Sequence, residues 1–303
     1  MSNELSLRSG KIEFIMVVSS NIGKEDHMPK NVLFTLVLVL AISVLFAGKW
    51  HYDNKIEVQG EAAYAAYKQK AEQKAFINSL DPALNPDQNL ADYLHYKSLT
   101  QDQVTISVLG GSATAGIGAS DPKYAWGKRF EAQLHSLGKE FQNVRIHTHG
   151  FPEYSTARLV KETKVKNVIG DKPDLVIFEA ALFHNYDQHV PMDETKKDVE
   201  AIVQSIQKNV PGAKILLTSS NPISIVSEER TENNIGYTYN DYTGELTELA
   251  KKKEWAYVNI HREINDRLEK EHIKRSSFLK EGTDLTDDGH LIWTKELLDY
   301  LSK

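Results

Sequence analysis

The chain has 303 residues, a net charge of −6 at pH 7 and 41% hydrophobic residues. This composition suffices for a large globular core, and the acidic balance excludes a strongly basic nucleic-acid-binding protein. The absence of cysteine excludes disulfides, thiolate metal sites and cysteine nucleophiles.

An apolar segment near the N-terminus indicates a membrane anchor. Only Thr35 and Ser43 are polar among the sixteen residues 32–47, and a bilayer span needs about 20 residues. The alternative is the apolar region of a cleaved signal peptide, but no small-x-small cleavage site follows. We therefore expect residues 32–48 to form an uncleaved single-pass anchor in the cell membrane, with the C-terminal domain outside the cytoplasm.

The segments on either side of this anchor are polar. Residues 1–31 form an N-terminal segment, and Met28 is a natural start, so residues 1–27 are hypothesised to be an over-extended start. Residues 56–80 are rich in Ala, Glu, Gln and Lys, which favour helix. Two prolines then interrupt the pattern. We expect residues 49–103 to form a helical stalk or linker.

From residue 104 to residue 303, short apolar runs alternate with amphipathic stretches. Strands are predicted at 104–111, 144–150, 174–180, 213–222 and 255–260. Helices are predicted at 124–137, 156–169, 193–210, 239–253 and 289–303. Such alternation indicates an α/β fold, a three-layer α/β/α sandwich with a mainly parallel sheet. Functional sites in such sheets lie beyond the carboxyl ends of the strands.

The predicted strand ends carry residues suited to acyl transfer. Ser112 follows Gly110 and Gly111 after the first strand, Gly150 ends the second, and Asn185 follows the third. A serine hydroxyl is a weak nucleophile that needs a base within hydrogen-bond reach, and the developing oxyanion needs donors fixed beforehand. The joint order of these residues is more specific than any one of them.

This order resembles the SGNH hydrolase family, also called GDSL esterases and lipases, over about two thirds of the chain. The resemblance implies that Ser112 is the nucleophile and that its backbone N–H is an oxyanion donor. It further implies that Gly150 and Asn185 supply the other donors, and it implies no cofactor. Gly111 replaces the family's acidic residue, and "ALFHN" departs from the family's G-x-N-D. His184, next to Asn185, is a further residue that can enter the site.

The segment "EGTDLTDDGH" at residues 281–290 admits two assignments for the catalytic acid and base. The literal D-x-x-H gives Asp287 and His290. Laid on the family's D-G-x-H-P-N-x-x-G-[HY], the acid–base pair instead falls on Glu281 and Asp284, and His290 lies inside the terminal helix. Thr286 as an N-cap favours the second assignment, but a carboxylate of pKa near 4 is a poor base for a serine at neutral pH.

The sequence therefore predicts an envelope-anchored serine esterase that hydrolyses or transfers short acyl groups on an extracytoplasmic ester. An O-acetylated glycan is the substrate suggested by location. The alternative is a catalytically impaired protein of the same fold that binds an acylated glycan without turnover. We expect no metal, no cofactor and no nucleic acid.

Overall fold

The computed structural model describes residues 29–224, 226, 228 and 230–303, and the hypothesis about residues 1–27 lies outside this part. The chain divides into two compact units between Gln73 and Lys74.

The apolar segment and the polar segment after it belong to one long helix. Helix α1 spans Lys30–Ser79, and none of its residues is buried. Its most apolar 18-residue window has a mean hydropathy of 2.5, so it is a candidate membrane span by length and composition. Among the described residues, no other helix meets that criterion.

A five-stranded parallel sheet in the order β2-β1-β3-β4-β5 forms the centre of the second unit. Its strands are β1 (Val104–Gly110), β2 (Val144–Gly150), β3 (Leu175–Glu179), β4 (Lys214–Thr218) and β5 (Tyr257–Val258). Strand β3 is buried throughout because helices cover both of its faces. The sheet confirms the predicted fold class.

Helices cover both faces of the sheet, with one apolar core on each side. One core contains residues from α2 (Leu90–Thr100), α3 (Trp126–Leu137), α9 (Ile260–Lys270), α10 (Arg275–Phe278) and α11 (Asp287–Leu301). The other contains residues from α4 (Thr156–Lys161), α5 (Val165–Asp171), α6 (Leu182–Asp187), α7 (Met192–Asn209) and α8 (Tyr239–Lys252). Ile177 and Phe178 of β3 point into opposite cores, as the two-residue period of a strand requires.

The structure differs from the prediction of a stalk at the end of residues 49–103. Helix α2 packs on the sheet: Tyr93 and Leu94 are buried in the first core. The Tyr93 hydroxyl donates a hydrogen bond to the carbonyl oxygen of Asp174, at 3.1 Å. The segment thus ends in a packed helix, which its modest apolar content did not reveal.

A short hairpin precedes the last helix. Strands β6 (Leu279–Lys280) and β7 (Asp284–Leu285) pair antiparallel. Glu281 and Gly282 in the turn have φ of 54° and 79°, a region in which glycine is unstrained. The Thr286 hydroxyl accepts a hydrogen bond from the Gly289 N–H. The predicted N-cap is thereby confirmed, and α11 begins at Asp287.

Candidate active site

Ser112 lies in a turn directly after β1, at the carboxyl edge of the sheet. A buried carboxyl group from the end of β3 holds this turn. Oε2 of Glu179 accepts hydrogen bonds from the Gly111 N–H at 3.1 Å and from the Thr114 hydroxyl at 2.6 Å. Glu179 is only 3% exposed, and burial raises the pKa of its carboxyl group. Glu179 was not among the residues predicted for the site, although an acid directly after the apolar run "LVIF" at residues 175–178 marks the end of a buried strand.

Gly150 fits closely against the same turn. It pairs with Gly110 across the parallel strands, and a Cβ added to it would lie 2.1 Å from the backbone nitrogen of Ala115. The glycine is required for this close approach. Gly150 thus lies beside the serine turn and is not among the residues that line the cavity described below.

The imidazole of His184 is within hydrogen-bond reach of the serine. Its Nε2 lies 3.2 Å from Oγ of Ser112. His184 belongs to the short helix α6, whose first turn is preceded by Ala181 in the left-handed region with φ of 45°. Its ring packs on Phe183, with centroids 5.2 Å apart. Backbone strain of this kind persists only where surrounding structure enforces it, and it is concentrated at functional sites.

Asn185 points away from the serine, into the interior. Its side chain is fully buried, and its Oδ1 accepts a hydrogen bond from the Thr156 N–H at 2.8 Å. Its Nδ2 donates to the hydroxyls of Thr156 and Thr195. Both amide hydrogens therefore have partners, and the expectation that Asn185 is an oxyanion donor disagrees with this geometry. His184 lines the cavity described below and Asn185 does not, so the two neighbours on this helix face different surroundings.

Ser112 and His184 share a cavity of about 670 Å³. Its polar and charged lining includes Ser112, Glu153, Arg158, Glu179, His184, Asp187, Gln188, Ser220, Asn221, Thr283 and Asp284. Its apolar lining consists of Ala113, Ile117, Pro152, Ala181, Phe183 and Leu285.

The electrostatics of the cavity favour a neutral imidazole. Burial lowers the pKa of His184, while the negative charges of Asp187, Glu153 and Asp284 act in the opposite direction. Burial, followed by the charge of Glu281, raises the pKa of Asp284. Glu281 itself is exposed in the hairpin turn and does not line the cavity.

The structure does not bring His290 to the serine. The ring is fully buried in α11. Its Nδ1 lies 3.3 Å from the Trp126 backbone nitrogen, and its Nε2 lies 3.2 Å from the Ile117 carbonyl oxygen. Both ring nitrogens therefore have backbone partners, and burial lowers the pKa of His290 to about 4.

Asp287 is likewise engaged at the start of α11 and not at the cavity. Its carboxylate accepts hydrogen bonds from the backbone N–H and the hydroxyl of Ser120, at 2.8 and 2.5 Å. These bonds lower its pKa. The assignment of Asp287 and His290 as acid and base therefore disagrees with the geometry. Both residues lie on α11, their side chains bond to other groups, and neither lines the cavity that holds Ser112.

No group of three or more His, Asp or Glu side chains in the described ranges is arranged to hold a metal ion.

A sequence profile of the GDSL-like Lipase/Acylhydrolase family matches residues 108–292. No curated protein matches the chain. Among solved structures, a two-domain esterase active on acetylated mannans is similar at 13% identity and a TM-score of 0.56, covering 70% of this chain and 52% of that one. A mutant of an acetyl-xylooligosaccharide esterase from Geobacillus stearothermophilus is similar at 16% identity and a TM-score of 0.54, covering 67% and 97%. An acetyl xylan esterase is similar at 17% identity and a TM-score of 0.52, covering 65% and 98%.

Proposed function

Because the chain belongs to the GDSL-like lipase/acylhydrolase family, we propose that it is a serine-dependent ester hydrolase that removes short acyl groups from a carbohydrate. One observation carries the proposal. The hydroxyl of Ser112 lies in a cavity at the carboxyl edge of the sheet, 3.2 Å from an imidazole nitrogen. A nucleophile with a base in hydrogen-bond reach is the arrangement that covalent acyl transfer requires.

Ser112 attacks the ester carbonyl, and its own backbone N–H is the oxyanion donor. In the part of the chain that the structure describes, this N–H has no hydrogen-bond partner. The bonds from Gly111 and Thr114 to Glu179 keep the turn fixed, so the donor is oriented before the charge develops. Preorganised donors of this kind typically contribute roughly 10²–10³-fold in rate.

The walls of the cavity support a carbohydrate ester as the substrate. Sugar hydroxyls need hydrogen-bonding partners, and Gln188, Asn221 and Thr283 place amide and hydroxyl groups in the lining of the cavity that holds Ser112. Nδ2 of Asn221 already donates to two carbonyl oxygens, which leaves its Oδ1 to accept from a sugar hydroxyl. Six apolar residues line the cavity, against eleven polar or charged ones, and this mixed lining suits a short acyl chain better than a long one. The similar esterases that act on acetylated mannan and on acetyl-xylooligosaccharides support the same substrate class.

We expect the full chain in detergent to release acetate from acetylated xylo- or manno-oligosaccharides. On p-nitrophenyl esters, kcat/KM should fall as the acyl chain lengthens from two to twelve carbons, because the polar walls do not favour a long alkyl chain. Acetate release is measured by a coupled assay, with Ser112→Ala as the control. Hydrolysis that improves with chain length and spares every acetylated glycan would refute the proposed substrate class.

A second candidate function is binding of an acylated glycan without turnover. The observation that favours it is Asp284, which lines the cavity and occupies the place of the family histidine in the favoured alignment. A carboxylate cannot replace an imidazole as general base at neutral pH without a large rise in pKa. The binding function therefore requires that no other imidazole serves Ser112.

The location proposed for the enzyme is the outer side of the cytoplasmic membrane. The membrane anchor in this proposal is supported by the apolar half of α1, which is exposed along its whole length. A polypeptide on the outer side would meet the acylated sugars of the cell envelope.

We expect protease added to intact cells that express the chain with a C-terminal epitope tag to remove the tag. If the catalytic unit is outside, digestion should proceed without permeabilisation and leave a membrane-bound fragment that contains residues 32–48. A cytoplasmic protein serves as the integrity control. Protection of the tag until the membrane is opened would contradict the external location.

A further inference from the structure

We propose that His184, on the helix after β3, is the general base of this esterase, and that it replaces the histidine of the loop before the terminal helix. The inference rests on the proposed function and deepens it. It requires that the loop position held by Asp284 no longer carries the base.

The contact between His184 and the nucleophile is the first support. Nε2 of His184 lies 3.2 Å from Oγ of Ser112. Hydrogen-bond reach to the proton that is abstracted is the first requirement of a general base. The two other candidates named from the sequence fail this requirement or lack the chemistry: His290 is bonded to backbone groups, and Asp284 is a carboxylate.

The position of the ring is fixed by its surroundings. Ala181 in the left-handed region sets the start of α6, and the Leu182 N–H donates to the hydroxyl of Ser220 at 2.9 Å. Phe183 supports the ring on one side and itself packs edge-on against Tyr239. A Cβ on Gly111 would lie 3.7 Å from Cδ2 of His184. The imidazole therefore lies between α6 and the serine turn.

The surroundings of the ring favour the neutral imidazole before proton transfer and the cation after it. Burial keeps the free imidazole neutral, and the carboxylates of Asp187, Glu153 and Asp284 favour the cation once it forms. They approach from α6, from the loop after β2 and from β7. The other charged or titratable cavity groups are Glu179 at the end of β3 and Arg158 on α4, whose Nε donates to Glu162.

In the reaction, His184 releases each proton that it takes up. Nε2 of His184 takes the proton of the Ser112 hydroxyl as Oγ bonds to the ester carbonyl carbon. The imidazolium returns that proton to the leaving sugar oxygen as the ester C–O bond breaks. In the second half, His184 takes a proton from water, the resulting hydroxide attacks the acyl carbon, and the proton passes to Oγ as the acid is released.

The test compares matched histidine variants of the full chain in detergent. We expect His184→Gln to lower kcat/KM on an acetyl ester by roughly 10²–10⁴-fold, the typical contribution of general-base catalysis, without a fall in melting temperature. His272→Gln, which changes an exposed histidine that does not line the cavity, is the control. His290→Gln should lower the melting temperature. Its kcat/KM should still decline at acidic pH in the same way as that of the wild type.

The pH profile separates a catalytic role from a structural one. Because burial places the pKa of His184 below its usual 6.5, kcat/KM of the wild type should stay constant near neutrality and decline only below that value. His184→Gln should lose this decline. Added imidazole should restore part of the activity of His184→Ala, with Ser112→Ala in the same buffer as the background.

The outcomes distinguish this inference from the proposed function. Loss of activity in Ser112→Ala together with unchanged kcat/KM in His184→Gln would overturn the inference and leave the esterase intact. Loss in His290→Gln at an unchanged melting temperature would overturn it as well. Equal hydrolysis by the wild type and Ser112→Ala would refute the esterase itself, and with it the role of His184.

Discussion

Replacement of Ser112 by alanine is expected to lower kcat on an acetyl ester by about 10⁴–10⁶-fold, because removal of a serine nucleophile removes the covalent route. The change deletes a single oxygen from a turn whose other contacts run through Gly111 and Thr114 to Glu179. The melting temperature should therefore stay within a few degrees of the wild type. Steady-state kinetics and a melting curve on the same preparation measure both quantities.

The matched control is Ser120→Ala, which changes a serine eight residues further along the same loop. Ser120 donates to Asp287 and does not line the cavity. We expect this variant to retain activity within a few-fold of the wild type. Retention of activity in Ser112→Ala, or an equal loss in both variants, would contradict the assignment of Ser112.

Replacement of Glu179 by alanine is expected to lower the free energy of unfolding by about 3–5 kcal/mol. It leaves the Gly111 N–H and the Thr114 hydroxyl buried without an acceptor, and each orphaned donor costs roughly 1–3 kcal/mol. The melting temperature should fall on the order of 10 °C. Activity should fall too, because the turn that carries Ser112 loses its support.

Glu179→Gln is the matched variant, since it keeps the volume and one acceptor oxygen. Burial raises the pKa of Glu179 in the folded protein, so its contribution to stability is fully present below the pKa of the unfolded chain and is lost as pH rises through the folded value. Glutamine cannot ionise. The variant should therefore be at least as stable as the wild type at pH 7 and lack this pH dependence. A glutamine variant as unstable as the alanine variant would show that the ionised carboxylate is required.

Strands β1 and β3 were predictable because they are buried throughout, and buried parallel strands are continuous apolar runs. Strand β2 lies at the edge of the sheet, and its residues alternate in exposure near its start. Strand β2 has the predicted bounds 144–150. The predicted helix at 156–169 is in fact two helices, α4 and α5, separated by Thr163 with φ of 53°. No glycine or proline marks that break in the sequence, so composition alone could not place it.

The orientation of single side chains at the candidate site was also not predictable from local sequence. The sequence singled out Ser112 and both members of the His184–Asn185 pair, but it could not decide which of the pair faces the serine. That choice depends on the left-handed conformation of Ala181, which sets the rotation of a six-residue helix. Glu179 was missed because its role depends on the register between β3 and the turn after β1. Such tertiary contacts override local sequence pattern.

The hairpin and the last helix illustrate what local chemistry does predict. Thr286 was identified as an N-cap from its residue type and the acidic residues after it, and the structure has this cap. The position of the cap places His290 one turn inside α11, where its ring is buried. The literal D-x-x-H at residues 287–290 is therefore the first turn of a capped helix. The position at which that helix starts distinguishes this assignment from the one at residues 281–284.

The role of Ser112 as an activated nucleophile is tested most directly by the site at which a fluorophosphonate probe labels the protein. The folded full chain in detergent is treated with the probe, digested with trypsin, and analysed by tandem mass spectrometry. We predict one adduct, on Ser112 within the peptide Ser98–Lys123, that is absent in Ser112→Ala and forms much more slowly in His184→Gln. Folded protein that stays unlabelled, or that is labelled at another serine, would contradict the claim that Ser112 is an activated nucleophile.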